Sequence, residues 1–201
     1  MIFEKYKRIT LDALGSSIAW VLFFAYRKIL IEDSTFELSF TLLYGTIGVT
    51  LFWITIYSLY GTYKEVQRVS RLNELYRTLI QSIFGAFCIF FFLIIDDIEN
   101  YKNYRFYYEA LTILILFHFS ITFTIRYIIT SSMVRKIQNR EIQFKTILIG
   151  DSQSIANTFN TLINMPRSMG NLLVGYINFD DFQNISQIPI SNLGQIDDLQ
   201  V

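Results

Sequence analysis

The feature that most constrains this chain is the length of its segments without a charged residue. Leu38 to Tyr63 is a run of 26 residues without Asp, Glu, Lys or Arg, and Thr78 to Ile95 is another of 18. A helix rises about 1.5 Å per residue, so about 20 apolar residues cross the roughly 30 Å hydrocarbon core of a bilayer. Of the 201 residues, 52% are hydrophobic and only 17% are charged. The sequence therefore predicts an integral membrane protein.

Two further segments are predicted to cross the membrane. Residues 110–125 carry no charge, and the apolar pattern continues for eight residues beyond Arg126. A long arginine side chain can extend from a helix end to the interface, so we expect Arg126 there. Residues 9–31 have an uncharged core only from 13 to 26, flanked by Asp12, Arg27 and Lys28. This segment crosses the membrane if those three charged residues lie near the interfaces. The sequence thus predicts a four-helix transmembrane domain over residues 1–134, with spans 9–31, 38–60, 78–95 and 110–134.

A basic start followed by an apolar run is also typical of a secretory signal peptide. The segment from Ala25 to Ile29 has no small-residue cleavage site, because it reads Ala-Tyr-Arg-Lys-Ile. A membrane anchor is therefore the favoured interpretation.

The distribution of Lys and Arg predicts the orientation, because cytoplasmic connections of membrane proteins are rich in both. One side of the predicted spans carries eleven of them: Lys5, Lys7, Arg8, Lys64, Arg68, Arg71, Arg77, Arg135, Lys136, Arg140 and Lys145. The other side carries at most four: Arg27, Lys28, Lys102 and Arg105. We therefore expect both termini in the cytoplasm.

The composition changes after residue 134. Residues 135–143 form a basic linker, and residues 144–201 have the pattern of a partial Rossmann-like cytoplasmic domain. The predicted elements are a strand over 144–150, a helix over 152–164 and a strand over 171–177. A further strand is expected near 188–190, and a helix is expected to begin near 195–199. Parallel sheets are normally built from several β-α-β units, so the sequence is expected to be cut short.

The turn after the first predicted strand occupies the place of the dinucleotide fingerprint G-x-G-x-x-G. Only its first glycine, Gly150, is present, and the other two positions hold Ser152 and Ile155. Asp151 would repel a phosphate at the helix N-terminus. A helix cap is the favoured reading, and a cofactor site at Gly150, Asp151 and Ser152 is the alternative. The pair Asp180 and Asp181 is interpreted as an exposed acidic turn, with a ribose contact as the alternative.

Two groups of residues inside or beside the predicted membrane domain are candidates for function. His118 lies mid-span, where an ionisable residue is a functional candidate, but a hydrogen bond to Ser, Thr or Tyr of a neighbouring helix is the favoured role. The basic loop residues Lys64, Arg68 and Arg71 either contact a lipid phosphate or only fix the topology. One His and one Cys, Cys88, cannot build a metal centre, and a net charge of zero does not favour nucleic acid.

The chain resembles the bacterial polyprenyl glycosylphosphotransferases, sugar transferases that initiate exopolysaccharide or O-antigen synthesis. The resemblance rests on Asp12 with Ala19-Trp20, on the loop Gly61-x-Tyr63 to Arg68-x-Ser70-Arg71, and on the order of four spans followed by a nucleotide-binding-like (CoA-binding-like) domain. The later matching segments are Ile147-Leu-Ile-Gly150, Val174-Gly-Tyr-Ile177 and Ile188-Pro-Ile-x-x-Leu-Gly194-x-Ile-Asp-Asp-Leu199.

The resemblance implies the membrane and regulatory half of an enzyme that transfers a hexose 1-phosphate from a nucleotide sugar to undecaprenyl phosphate in the bacterial inner membrane. Catalysis would belong to a further domain with an Asp-Glu pair and a divalent metal such as Mg²⁺, so no catalytic residue is assigned here. The alternatives are a membrane-bound NAD-dependent nucleotide-sugar dehydratase or epimerase and a non-enzymatic four-span scaffold. A homo-oligomer is left open.

Overall fold

A computed structural model describes residues 2–31, 33–64, 70–94, 105–179 and 188–195. The chain divides into two compact units, Met1–Ser131 and Ser132–Val201. The first is helical, and the second contains the parallel sheet.

Four helices account for the first unit, and the last of them continues into the second. They are α1 (Ile2–Tyr26), α2 (Phe40–Leu59), α3 (Arg71–Ile89) and α4 (Arg105–Gln138). Single π-helical turns extend α1 over Arg27–Ile31 and α3 over Phe90–Ile94. Four segments are long and apolar enough to cross a membrane: Glu4–Ile31, Phe40–Leu59, Arg71–Phe92 and Tyr107–Gln138. The prediction of four membrane-spanning helices agrees with this architecture.

The helices extend beyond three of the predicted spans, because charged residues were taken as the limits of those spans. Helices α1, α3 and α4 begin before residues 9, 78 and 110, and α4 continues past residue 134. The start of α3 is set by Ser70, whose hydroxyl accepts a hydrogen bond of 3.2 Å from the backbone N–H of Asn73. Of the charged residues in these first turns, Glu74 is buried inside the helical unit, whereas Arg71 and Arg105 are exposed.

An aromatic cluster forms the core of the first unit. Phe23, Trp53 and Tyr57 are almost completely buried. Trp53 lies against α3 at Gly85, where an added Cβ would be 2.3 Å from the indole ring. Only glycine permits this approach, so Gly85 sets the spacing of α2 and α3. Large apolar side chains such as Leu51 remain exposed on the outer faces, where a bilayer would cover them.

The second unit contains a three-stranded parallel sheet and one helix. The strands are β1 (Phe144–Gly150), β2 (Asn171–Asn178) and β3 (Asn192–Gln195), in the order β1-β2-β3, and α5 spans Ser152–Asn164. The bounds predicted for β1 and α5 are confirmed. Helix α5 packs Ile155 and Phe159 against Leu148 and Tyr176. Ile163, near the end of α5, is half exposed.

The third strand lies beyond its predicted position. Residues 188–190 are not a strand, and β3 begins at Asn192. Pro189 lacks the N–H that a strand would donate, whereas Ile188 and Ile190 pack against the apolar core of this unit. The helix expected near 195–199 lies outside the described residues beyond Gln195.

Candidate functional site

The interior of the helical unit holds an ion pair between α1 and α4. Arg126 donates from Nε to Oδ1 of Asp12 and from Nη2 to Oδ2, both at 3.0 Å. Both side chains have an exposure of 0%. The two parallel N–H donors of a guanidinium match the two oxygens of a carboxylate, which gives this pair a fixed geometry. Arg126 and Asp12 are therefore buried partners of each other. Their expected position near the membrane interfaces stays a prediction.

Helix α3 supplies further partners for Arg126. Its Nη1 donates to the side-chain oxygens of Thr78 at 3.2 Å and Gln81 at 3.0 Å. Gln81 in turn donates to the hydroxyl of Thr62 at 2.9 Å. Thr62 and Tyr63 follow α2 through a turn in which Gly61 has φ of 67°, a left-handed conformation suited to glycine. The hydroxyl of Tyr63 donates to Oδ2 of Asp12 at 3.1 Å.

A second ion pair lies beside the first. Nη2 of Arg8 in α1 donates to Oε1 of Glu74 in α3, and both side chains are buried. Oε1 of Glu74 is also 3.8 Å from Nη1 of Arg126, and Thr130 donates to its Oε2 at 3.4 Å. Two arginines and two carboxylates thus form one buried cluster with a formal charge of zero. We name Arg8, Asp12, Glu74 and Arg126 the charge cluster.

Neutrality makes the charge cluster compatible with a membrane. A lone charge at the centre of a spanning helix costs about 2.5–3.5 kcal/mol by insertion measurements. Each charge here has an opposite partner on another helix, so removal of one partner would leave an uncompensated buried ion. The cluster involves α1, α3 and α4 directly, and it reaches the turn after α2 through Tyr63.

Deeper in the unit, His118 forms the contact that its sequence context favoured. Its Nε2 shares a hydrogen bond of 2.6 Å with the hydroxyl of Tyr57. Its ring stacks on Trp53, with ring centroids 3.5 Å apart. The guanidinium of Arg126 lies 4.1 Å from the centroid of the Tyr57 ring, a cation–π distance. Tyr57 therefore connects His118 to the charge cluster.

The candidate cofactor residues form a helix cap. The carboxylate of Asp151 accepts a hydrogen bond of 3.0 Å from the backbone N–H of Ser154. Hydrogen bonds from the Ser154 side chain and backbone hold the pKa of Asp151 below its ordinary value. The hydroxyl of Ser152 accepts a hydrogen bond from Asn178 at 2.8 Å. A Cβ added at Gly150 would meet only ordinary contacts, the nearest at 3.8 Å. The side chains of Asp151 and Ser152 therefore already have hydrogen-bond partners, and the carboxylate of Asp151 lies at the N-terminus of α5.

The basic loop is only partly within the described residues. Lys64 and Arg71 are exposed, and the guanidinium of Arg71 lies 5.8 Å from the centroid of the Tyr127 ring. Arg68, Asp180 and Asp181 lie outside the described residues. Among the residues that are described, no group of three or more His, Cys, Asp or Glu side chains could hold a metal ion.

Sequence reasoning missed the charge cluster as a unit. The signal that could have revealed it is helical spacing: Arg8, Asp12 and Ser16 recur every four residues on α1, and His118, Thr122, Arg126 and Thr130 do so on α4. All seven side chains are buried. A polar stripe at helical spacing within an apolar segment predicts an inward face. The pairing of α1 with α4 is a long-range contact that spacing alone does not specify.

Comparisons with protein-family models, with curated proteins and with solved structures found no match to this chain.

Proposed function

We propose that this chain is the membrane and regulatory half of a sugar transferase of the bacterial inner membrane. The complete protein would form a bond between an oxygen of undecaprenyl phosphate and the sugar-bearing phosphorus of a nucleotide sugar. The nucleoside monophosphate would leave, and the hexose 1-phosphate would become lipid-linked. Both termini would lie in the cytoplasm, where the nucleotide sugar is available.

One observation carries this proposal. Asp12 and Tyr63 are among the residues on which the resemblance to polyprenyl glycosylphosphotransferases rests, and they are 51 positions apart. In the structure their side chains share a hydrogen bond of 3.1 Å, and Asp12 is also the partner of Arg126. Residues matched separately along the sequence thus belong to one buried cluster. Such convergence favours a common membrane architecture over a chance similarity of composition.

The charge cluster has a structural role in this proposal. Both oxygens of Asp12 are occupied by hydrogen bonds, and both oxygens of Glu74 contact donors. Each carboxylate is paired with an arginine, and in the described part of the chain no group of three or more His, Cys, Asp or Glu side chains could hold a metal ion. The cluster would hold the four helices in register, while a further domain with its own acids and a divalent metal performed the transfer.

Because the oxygens of both carboxylates already contact donors, the structure also favours a second candidate, a non-enzymatic four-helix scaffold. A scaffold needs only the helices and their pairing, which this chain already has. The two functions differ in one respect that can be measured, the formation of a lipid-linked sugar.

The test is a radiolabelled nucleotide-sugar assay with three membrane preparations: the complete gene product, residues 1–201 alone, and membranes without either. We expect lipid-linked product only from the complete gene product. Turnover by residues 1–201 would place the catalytic site in this chain and contradict the division of roles. Absence of product from the complete gene product across hexose donors would leave the scaffold.

A further inference from the structure

The second unit contains a cavity of about 280 Å³ at the amino ends of β1 and β2. Buried and half-buried apolar side chains form its floor, and polar side chains stand at its edge. The floor contains Phe159, Leu162, Leu173 and Ile190, and the edge contains Arg140, Gln143, Ser168 and Asn171. The turn at Gly150 lies at the opposite edge of the sheet, after the carboxyl end of β1. The cavity is therefore separate from the candidate cofactor turn.

At the cavity edge, Arg140 has a backbone conformation that is unusual for a residue other than glycine. It follows the end of α4 in a left-handed conformation, with φ of 63°, and the next residue closes the helix by a hydrogen bond from Glu141 N to Lys136 O. Glycine is the usual residue at this position of a helix end, because it has no Cβ to strain. The side chain of Arg140 is exposed, and it makes no ion pair or hydrogen bond with any residue that the structure describes. Arg140 thus occupies a position where glycine would be less strained.

The surroundings of Arg140 within the second unit indicate what it could bind. The cavity edge also has exposed apolar side chains, Ile163 at 52%, Met169 at 63% and Leu172 at 43%. A cationic group beside exposed apolar groups suits an amphiphile that carries an anion.

We propose that this cavity binds a phosphate ester with a short apolar body. The guanidinium of Arg140 pairs with the phosphate, since arginine matches phosphate oxygens with several N–H donors. The apolar floor takes the first carbons of the body, and the volume is at the low end for ligand pockets, so only a short body fits. A membrane lipid and a soluble phosphorylated amphiphile share this chemistry. The site is independent of the proposed transferase activity.

The binding test uses the whole chain in dodecyl maltoside micelles, with hexyl phosphate as the probe and calorimetry as the readout. Hexanol and inorganic phosphate each lack one half of the recognised chemistry, and we expect both to bind at least tenfold more weakly than hexyl phosphate. Arg140→Gly should raise the thermal unfolding midpoint and weaken hexyl phosphate at least tenfold. Arg167→Gly removes the same charge from a residue that does not line the cavity, and it should leave the affinity unchanged.

A second variant guards against indirect effects of the backbone. Met169→Glu places a negative charge at an exposed edge position, so it should fold normally and weaken hexyl phosphate. Displacement of the probe by dihexanoyl phosphatidic acid would assign the site to a membrane lipid, and failure of displacement would assign it to a soluble ester; either result supports the site. No binding of hexyl phosphate to the wild-type chain, or equal affinity in Arg140→Gly, would overturn the proposal.

Discussion

Arg126 and Asp12 are 114 positions apart, and two hydrogen bonds of 3.0 Å join them inside the helical unit. This pair explains how α1 can be a membrane helix although it contains a carboxylate. Asp12 alone would make insertion costly, but its charge is balanced once α4 packs beside it. The stability of α1 within the helical unit therefore depends on a contact between the first and last helices of the unit.

The contact between Gly85 and Trp53 predicts a local destabilisation. Gly85→Ala places a Cβ 2.3 Å from the indole ring, so α2 and α3 must separate or Trp53 must move. We expect a loss of about 1–3 kcal/mol in the free energy of unfolding. Gly48→Ala is the matched control, because nothing lies within 4 Å of its added Cβ. The measurement is reversible unfolding in bicelles, followed by tryptophan fluorescence. Equal stabilities of the two variants would show that the helices are not in this contact.

The cap at Asp151 predicts a pH-dependent stability of the second unit. Its pKa is lowered in the folded state, so the stabilisation is present above the unfolded pKa and is lost as the pH falls through the lower folded pKa. Asp151→Ala should lower the unfolding midpoint near neutral pH, and the difference from wild type should shrink in acid. Asp151→Asn should preserve the cap at both pH values, because an amide oxygen also accepts the hydrogen bond. A neutral-pH midpoint for Asp151→Ala equal to wild type would refute the capping role.

The same turn predicts weak affinity for NAD. It lacks two of the three fingerprint glycines, and Asp151 places a negative charge where the pyrophosphate would bind. We expect no binding in the micromolar range by calorimetry with the complete cytoplasmic domain. Micromolar binding would favour the dehydratase alternative over the transferase.

Local patterns were sufficient to predict much of this fold. The runs without charge located the four helices, and β-branched alternation located β1. The sequence could not show that Arg126 pairs with Asp12, because an arginine near a helix end satisfies the same pattern whether it reaches the interface or a buried partner. It also misplaced β3, because the apolar character of Ile188 and Ile190 outweighed the missing N–H of Pro189. Periodicity identifies a face of an element, whereas only packing identifies its partner.

The membrane topology predicts which side of the membrane each end of a helix faces. A single cysteine at Asn139, in a Cys88→Ser background, should react with an impermeant maleimide only after the cells are opened. Asn139 follows the last residue of α4, so it reports the side on which that helix ends. Ser34, between α1 and α2, provides the opposite control and should react in intact cells. Labelling of residue 139 from outside would reverse the predicted orientation.

The most direct test of the charge cluster is a double-mutant cycle on Asp12 and Arg126. Asp12→Leu and Arg126→Leu each leave a buried charge without its main partner, and each should cost about 3–5 kcal/mol of unfolding free energy. The double variant removes both charges, so its cost should be smaller than the sum of the two by about 2 kcal/mol or more. Steric trapping in bicelles measures these free energies within the folded membrane domain. Strictly additive costs would contradict the buried pairing of Asp12 with Arg126.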